Sequence, residues 1–294
     1  MNEDTRWRLA FARDIHARLG ERDGLRAVVV GGSVARGYSD PYSDLELLLF
    51  WDTPPDSAER RAIMADLGAE FRLPATYRSN DSGLLIRGVP VDLWQLTVSG
   101  AEEVLDRVFA QHSIALEDSS MVDTLHTCLS LSGEGLIGQW KARTAHYPDA
   151  LALAFLRAFL PHFHLRQLNL AAHRDNPTAF YHTLTDVQCS LFIVLLAINR
   201  AHFPTFKWLY PRLAELPLAP AWIAPRLRQM FHEPPPRAAE QLYALLSEAL
   251  ALVEGHFPQL DPAVVAWARH GMAQRPAPLI APPGGADDGW GDGD

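Results

Sequence analysis

The sequence predicts an α+β fold, with a small mixed β-sheet domain flanked by helices and a second domain built only of helices. Before Gly100, short apolar runs bounded by glycine and proline are typical of strands. After Gly100, apolar residues recur mainly at helical spacing. We therefore expect a sheet domain at 1–100, a helical domain at 101–272, and a disordered acidic tail at 273–294 that is rich in proline, glycine and aspartate.

The elements of the first domain follow from their apolar patterns. Residues 5–19 place apolar side chains on one helical face, and Gly20 ends this helix. Residues 25–30 and 44–51 are mainly apolar and have the length expected for buried strands. The remaining elements are a helix within 54–71, capped by Asp56 or Ser57, and two strands within 82–97 that are joined at Gly88-Val89-Pro90.

Two long helices are expected in the second domain. The first covers 148–174, and Pro161 should bend it. The second covers 177–203 and contains 191–198, an apolar stretch suited to the middle of a buried helix. That stretch is far shorter than the roughly 20 residues needed to span a bilayer, so we expect no membrane association.

Composition and charge argue against several classes of function. The 294 residues carry a formal net charge of −9, which disfavours binding to nucleic acid. Cys128 and Cys189 have no C-x-x-C spacing, so we expect neither a disulfide framework nor a zinc ribbon. The N-terminus is charged and lacks the apolar core of a secretory signal. We therefore expect a cytoplasmic protein, and the sequence leaves its oligomeric state open.

Asp44 and Glu46 stand together at the start of an expected buried strand. Residues i and i+2 of a strand project from the same face, so these carboxylates repel each other unless a cation lies between them. Mg²⁺ prefers oxygen ligands and is commonly held by one or two carboxylates together with water and substrate phosphates. The pair therefore predicts a magnesium site.

A phosphate-binding turn is expected shortly before this pair. Gly31 and Gly32 let the backbone approach an anion closely, and Ser33 adds a hydroxyl donor. A helix that begins here would also present free N–H groups. Asp92, between apolar residues of an expected neighbouring strand, supplies a third carboxylate. Three carboxylates beside such a turn are typical of two-metal nucleotidyl transfer.

The order and spacing of Gly31-Gly32-Ser33, Asp44-x-Glu46 and Asp92 resemble the signature of the DNA polymerase beta-type nucleotidyltransferase superfamily. Residues 27–96 carry the match, and they are most similar to the small bacterial members, the kanamycin and lincosamide nucleotidyltransferases. Glu46 stands where aspartate is commoner in the superfamily, although both occur. A helical second domain is also typical of these enzymes.

The resemblance implies an Mg²⁺-dependent enzyme that moves NMP from NTP to a hydroxyl of a small-molecule acceptor and releases pyrophosphate. We expect ATP as the NTP. Asp44 and Glu46 would bind metal in a two-metal site, and Asp92 would either complete that site or deprotonate the acceptor hydroxyl. Gly32 and Ser33 would hold the β and γ phosphates.

Two other interpretations stay open. The first keeps the same reaction but has a protein side chain or an RNA end as the acceptor, although the net charge disfavours RNA. The second is a module that binds a nucleotide without catalysis. Retention of the three carboxylates argues against a decayed site.

Two cations have open roles. Arg36 either contacts phosphate or pairs with Asp40 or Asp44 to hold the loop. Lys207 is one of only two lysines in the chain, and relatives carry in this region a lysine that faces the triphosphate. Its alternative role is that of an ordinary surface lysine. Thr205 is expected to cap a helix whose first turn contains Lys207.

Overall fold

The computed structural model describes residues 1–71 and 81–275, with only the backbone described for Phe71, Asp81 and Ser82. Most of the predicted tail, from 276 onward, lies outside these residues. The strands are β1 Leu25–Val30, β2 Leu45–Trp51, β3 Ala69–Phe71, β4 Asp81–Ile86, β5 Val89–Thr97 and β6 Leu129–Ser132. The helices are α1 Glu3–Leu19, α2 Gly32–Arg36, α3 Ser57–Leu67, α4 Val98–Phe109, α5 Leu116–Thr127, α6 Glu134–Thr144, α7 Asp149–Phe159, α8 Arg166–His173, α9 Pro177–Ile198, α10 Leu209–Glu215, α11 Ile223–Gln229, α12 Pro235–His256 and α13 Pro262–Ala273.

The chain has the predicted α+β fold, and its sheet is mixed. The six strands lie in the order β3-β4-β5-β2-β1-β6. β2 and β5 run parallel, whereas every other neighbouring pair of strands is antiparallel. β2 is therefore a central strand, with β1 on one side and β5 on the other.

The described chain divides into two compact units. The first consists of Met1–Leu156 and Leu196–Leu209 and contains the sheet. The second consists of Arg157–Leu195 and 210–275 and is helical. The first unit continues past residue 100 because β6 pairs with β1, which joins the chain on either side of β6 to the sheet. The domain bounds drawn from the sequence stay predictions.

Local signals set the ends of the first helices, and those expected at Gly20 and at Asp56 or Ser57 are confirmed. Asn2 caps α1, because its side chain accepts a hydrogen bond of 2.8 Å from the Thr5 N–H. Gly20 follows α1 with a φ of 63°, a conformation that glycine adopts without strain. Of the two candidate caps for α3, Asp56 is the one used, since its carboxylate accepts from the N–H groups of Ala58 and Glu59.

Both faces of β2 are covered, and this decides the surroundings of Glu46. Leu45, Leu47 and Leu49 belong to a core cluster with residues of α1 and α3. On the opposite face, the ring of Phe50 contacts Trp140 of α6 with 4.9 Å between centroids. Because side chains alternate along a strand, Glu46 shares the face of Phe50 and is half-buried near the start of β2.

Two features differ from the expectations drawn from the sequence. Residues 148–174 do not form one bent helix, because α7 gives way to a 3-10 turn at Leu160–His162 before α8 begins. Pro161 causes this break, since it has no N–H and disfavours helical backbone in the preceding residue. The strand β6 was also not expected within a region of helical periodicity.

The helix α9 contains the apolar stretch 191–198, and all of these residues are buried, as predicted. Among the described residues, α9 alone is long and apolar enough to cross a membrane by length and composition. However, 67% of its apolar window is buried inside the protein. Such burial is typical of a core helix.

Candidate functional site

Two of the three predicted carboxylates are direct neighbours in the sheet. In the parallel pairing of β2 with β5, Glu46 is the register partner of Asp92. Register partners project from the same face, so the prediction that Asp92 lies on the strand beside Glu46 is confirmed. Asp44 directly precedes Leu45, the first residue of β2.

The glycine turn lies against the Glu46 side chain. The Gly31 N–H donates a 3.0 Å hydrogen bond to the Glu46 carbonyl oxygen. Gly32 has a φ of 58°, and a Cβ atom built there would lie 2.2 Å from Oε2 of Glu46. Only glycine fits this position without displacing the carboxylate. The turn and Glu46 therefore form one local structure.

Ser33 is buried in the short helix α2, directly after the glycines. Its hydroxyl lies 3.4 Å from that of Ser39, which donates to it, and its carbonyl accepts from the Tyr38 N–H at 2.9 Å. These bonds fold the chain after α2 back against the turn. A phosphate role for Gly31, Gly32 and Ser33 stays a prediction.

The charges around Glu46 act on it in opposite directions. Burial raises the pKa of its carboxyl above the usual value, and the negative charges of Asp44 and Asp92 raise it further. The positive charges of Lys207 and Arg36 lower that pKa. Glu46 therefore lies at the centre of a cluster in which two acids and two cations are close enough to influence its protonation.

Lys207 belongs to the same compact unit as the sheet. It lies in a 3-10 turn, Phe206–Trp208, instead of the first turn of an α-helix. Within the described part of the chain the Thr205 hydroxyl makes no capping bond, and its φ of 101° differs from that of a normal cap residue. Lys207 is exposed, and its Nζ lies 5.2 Å from the ring centroid of Trp208.

Arg36 is engaged with a partner that the sequence did not indicate. Its guanidinium pairs with the carboxylate of Asp123 in α5, and both side chains are buried, with 8% and 3% exposed. Its Nη1 also donates a 3.0 Å bond to the Gly32 carbonyl. The arginine thus holds the turn through Asp123 instead of Asp40 or Asp44. The sequence signal that could have indicated this partner is the position of Asp123 between the apolar residues Val122 and Leu125, which are buried in α5.

The donor set fits a hard cation. Carboxylate oxygens are the ligands that Mg²⁺ prefers, and Glu46, whose pKa is raised by burial and by the charges of Asp44 and Asp92, would be relieved by a bound cation. Within residues 1–71 and 81–275, no group of three or more His, Cys, Asp or Glu side chains is arranged as a ready metal site, so the expected set of Asp44, Glu46 and Asp92 is not preformed. A site that needs substrate phosphates and water to complete its ligands is consistent with both observations.

No protein-family model and no curated protein matches the chain. Among solved structures, the chain is similar to a nucleotidyltransferase-like protein from Exiguobacterium sibiricum 255-15. The two share 13% sequence identity, and the alignment covers 86% of this chain and 77% of that protein, with a TM-score of 0.40. A likeness of this extent does not assign the chain to a family.

Proposed function

We propose that the protein is an Mg²⁺-dependent nucleotidyltransferase that moves NMP from NTP to a hydroxyl of a small-molecule acceptor and releases pyrophosphate. ATP is the proposed donor. The observation that carries the proposal is the pairing of Glu46 with Asp92 on parallel strands, beside a glycine turn against which the Glu46 carboxylate lies. Carboxylates next to a close-approach turn are what transfer from a magnesium triphosphate requires.

Each residue of the cluster has a proposed part in binding. Asp44, Glu46 and Asp92 would hold the metal, which when bound supplies positive charge to the phosphate oxygens. Gly32 and Ser33 bind the β and γ phosphates through backbone N–H and hydroxyl donors. Lys207 adds an ammonium charge opposite the triphosphate, supported by its electrostatic influence on Glu46.

The reaction is an in-line displacement at the α-phosphorus. The acceptor oxygen forms a bond to this phosphorus, and the bond from the phosphorus to the bridging oxygen of pyrophosphate breaks. The hydroxyl proton leaves either to Asp92 or to solvent, depending on whether Asp92 acts as base or only as metal ligand. Asp92 is half-buried, and its register partner on β4 is Gly83, which has no side chain. This supports access of the acceptor hydroxyl to the Asp92 carboxylate.

Labelled ATP tests the proposal. The full chain is incubated with ATP labelled at the α-phosphate, Mg²⁺ and a mixed pool of small molecules, RNA and proteins. The expected result is pyrophosphate release together with label in a small molecule. Label in protein or RNA would support nucleotidyl transfer but show that the acceptor is a macromolecule. Nucleotide binding without label in any acceptor would favour a non-catalytic module.

Two variants make the test specific. Glu46→Gln keeps the shape of the side chain and removes its charge, and it should lower pyrophosphate release by at least about 100-fold, or roughly 2.7 kcal/mol. Glu70→Gln makes the same change at an exposed position of β3 and should leave the rate unchanged. Equal rates for both variants would contradict the proposal.

A further inference from the structure

The loop 39–43, which ends directly before Asp44, is bound at both ends by the start of α1. Asn2 donates a 2.7 Å hydrogen bond from Nδ2 to the Ser39 carbonyl, while its side-chain oxygen caps α1. Arg8 donates two hydrogen bonds to the Ser43 carbonyl, from Nε at 3.0 Å and from Nη2 at 2.8 Å. Asn2 and Arg8 thus hold both ends of this loop to the start of α1.

Arg8 is placed for this task. It is only 2% exposed, and its remaining Nη1 donates to the carbonyl and carboxylate of Asp4 at 3.0 Å. A buried guanidinium is stable only when its donors are paired, so the Ser43 carbonyl is a required acceptor. α1 itself is anchored in the sheet core through Ile15 and Leu19.

The contact with Ser43 acts on Asp44 through the peptide bond. The Ser43 carbonyl and the Asp44 N–H lie in one plane, because the peptide bond resists rotation. Two hydrogen bonds from a rigid guanidinium therefore orient the plane from which Asp44 begins. Within the loop, Ser43 is also bonded to Asp40 through its hydroxyl and its N–H, but these bonds do not hold the Ser43 carbonyl, which Arg8 orients.

We propose that Arg8 is a positioning residue that fixes the Asp44 carboxylate for metal binding. This inference rests on the proposed function, because it assigns Asp44 a metal. Arg8 does not itself touch the substrate. Its loss should weaken metal binding by about 10-fold or more, as is usual when a group that orients a metal ligand is removed.

Proteolysis tests the loop contact without any assumption about function. Chymotrypsin should cleave after Tyr42 several-fold faster in Arg8→Met than in the wild-type chain. Arg13→Met is the matched control, because Arg13 is an exposed residue of the same helix, and its cleavage rate should equal that of the wild type. Arg8→Lys can form one hydrogen bond but not the pair, so it should lie between them.

Metal binding tests the effect on Asp44. The dissociation constant for Mn²⁺ alone is measured by calorimetry, and the half-activating Mg²⁺ concentration is measured by pyrophosphate release. Both should rise about 10-fold in Arg8→Met and less in Arg8→Lys. The KM for ATP at saturating Mg²⁺ should change less than two-fold. Circular dichroism shows whether each variant folds. If Arg8→Met does not fold, the metal-binding comparison is made with Arg8→Lys.

Three outcomes overturn the inference. The first is that Arg8→Met is cleaved after Tyr42 no faster than Arg13→Met. The second is faster cleavage of Arg8→Met with unchanged Mn²⁺ affinity. The third is an equal rise in its KM for ATP and its dissociation constant for Mn²⁺. A wild-type chain that binds no Mn²⁺ and releases no pyrophosphate contradicts the proposed function instead. In that case the cleavage rates still decide whether Arg8 holds the loop.

Discussion

The carboxylate of Glu46 lies directly against Gly32, where a Cβ atom would be 2.2 Å from Oε2. Gly32 also has a φ of 58°, which a residue with a side chain rarely adopts. Any larger residue at position 32 therefore has two unfavourable effects. One is backbone strain, and the other is displacement of a carboxylate that we assign to the metal.

Gly32→Ala should abolish pyrophosphate release while lowering stability only moderately. The Glu46 side chain can swing aside, so the stability loss should be mainly the backbone term of roughly 1–2 kcal/mol. The matched control is Gly37→Ala, because Gly37 has a φ of 75° and, within the described residues, a Cβ there would meet no atom within 4 Å. It should lose similar stability and keep its activity. Loss of activity in both variants would assign the effect to strain alone.

Asp44→Asn should lower activity and raise stability in the absence of metal. Burial raises the pKa of Glu46, and the charge of Asp44 raises it further, so at neutral pH the ionised pair destabilises the folded chain, and this penalty fades as pH falls through the raised pKa. Neutralising Asp44 removes part of it, and we expect Tm to rise by about 1–2 °C. Pyrophosphate release at saturating Mg²⁺ should fall by at least about 100-fold. Near-wild-type activity would exclude Asp44 as a metal ligand.

Asp123→Asn should destabilise the protein strongly, because it leaves the Arg36 guanidinium buried beside a neutral group. Breaking one side of a buried ion pair costs roughly 3–5 kcal/mol in the free energy of unfolding, measured by urea denaturation. The control is Asp149→Asn, since the pair of Asp149 with Arg200 is solvent-exposed and contributes only about 0–1 kcal/mol. If Asp123→Asn unfolds like the wild type but has a raised KM for ATP, the result would instead assign Arg36 to phosphate binding.

Lys207→Ala should raise the KM for NTP by about 10-fold or more and change the acceptor KM less. The magnitude follows from the roughly 1.5–3 kcal/mol of a charged hydrogen bond to phosphate. Lys207→Arg keeps the positive charge and should recover most of the affinity. Steady-state kinetics with each substrate varied in turn separates the two constants. A larger change in the acceptor KM would assign Lys207 to the other substrate.

Much of the local structure was predictable from short stretches of sequence. Residues 25–30 form β1 with the predicted bounds, because the apolar run 27–30 followed by a glycine turn has few alternatives to a buried strand. The end of α1 at Gly20 was predictable for the same local reason. The long helix across Pro161 was predicted wrongly, since periodicity on both sides outweighed the backbone restriction of a single proline.

Contacts between distant parts of the chain set the limit of that prediction. The strand β6 alternates leucine and serine but is only four residues long, too short for a clear signal of its own, and it pairs with the edge of β1. Asp123 is 87 residues from Arg36, and Ser43 is 35 residues from Arg8, so no local pattern links either pair. Periodicity reports which face of an element is apolar, but it does not report which polar groups meet after packing.

The sequence by itself determined the glycine turn, the spacing of Asp44 and Glu46, and the presence of Asp92 on a strand, because turn chemistry and strand alternation act over a few residues. Only the tertiary structure decided that Asp92 is the register partner of Glu46, that Arg36 is held by Asp123, and that α1 holds the loop before Asp44. Register and buried pairing depend on how whole elements pack, and that information is spread over the chain.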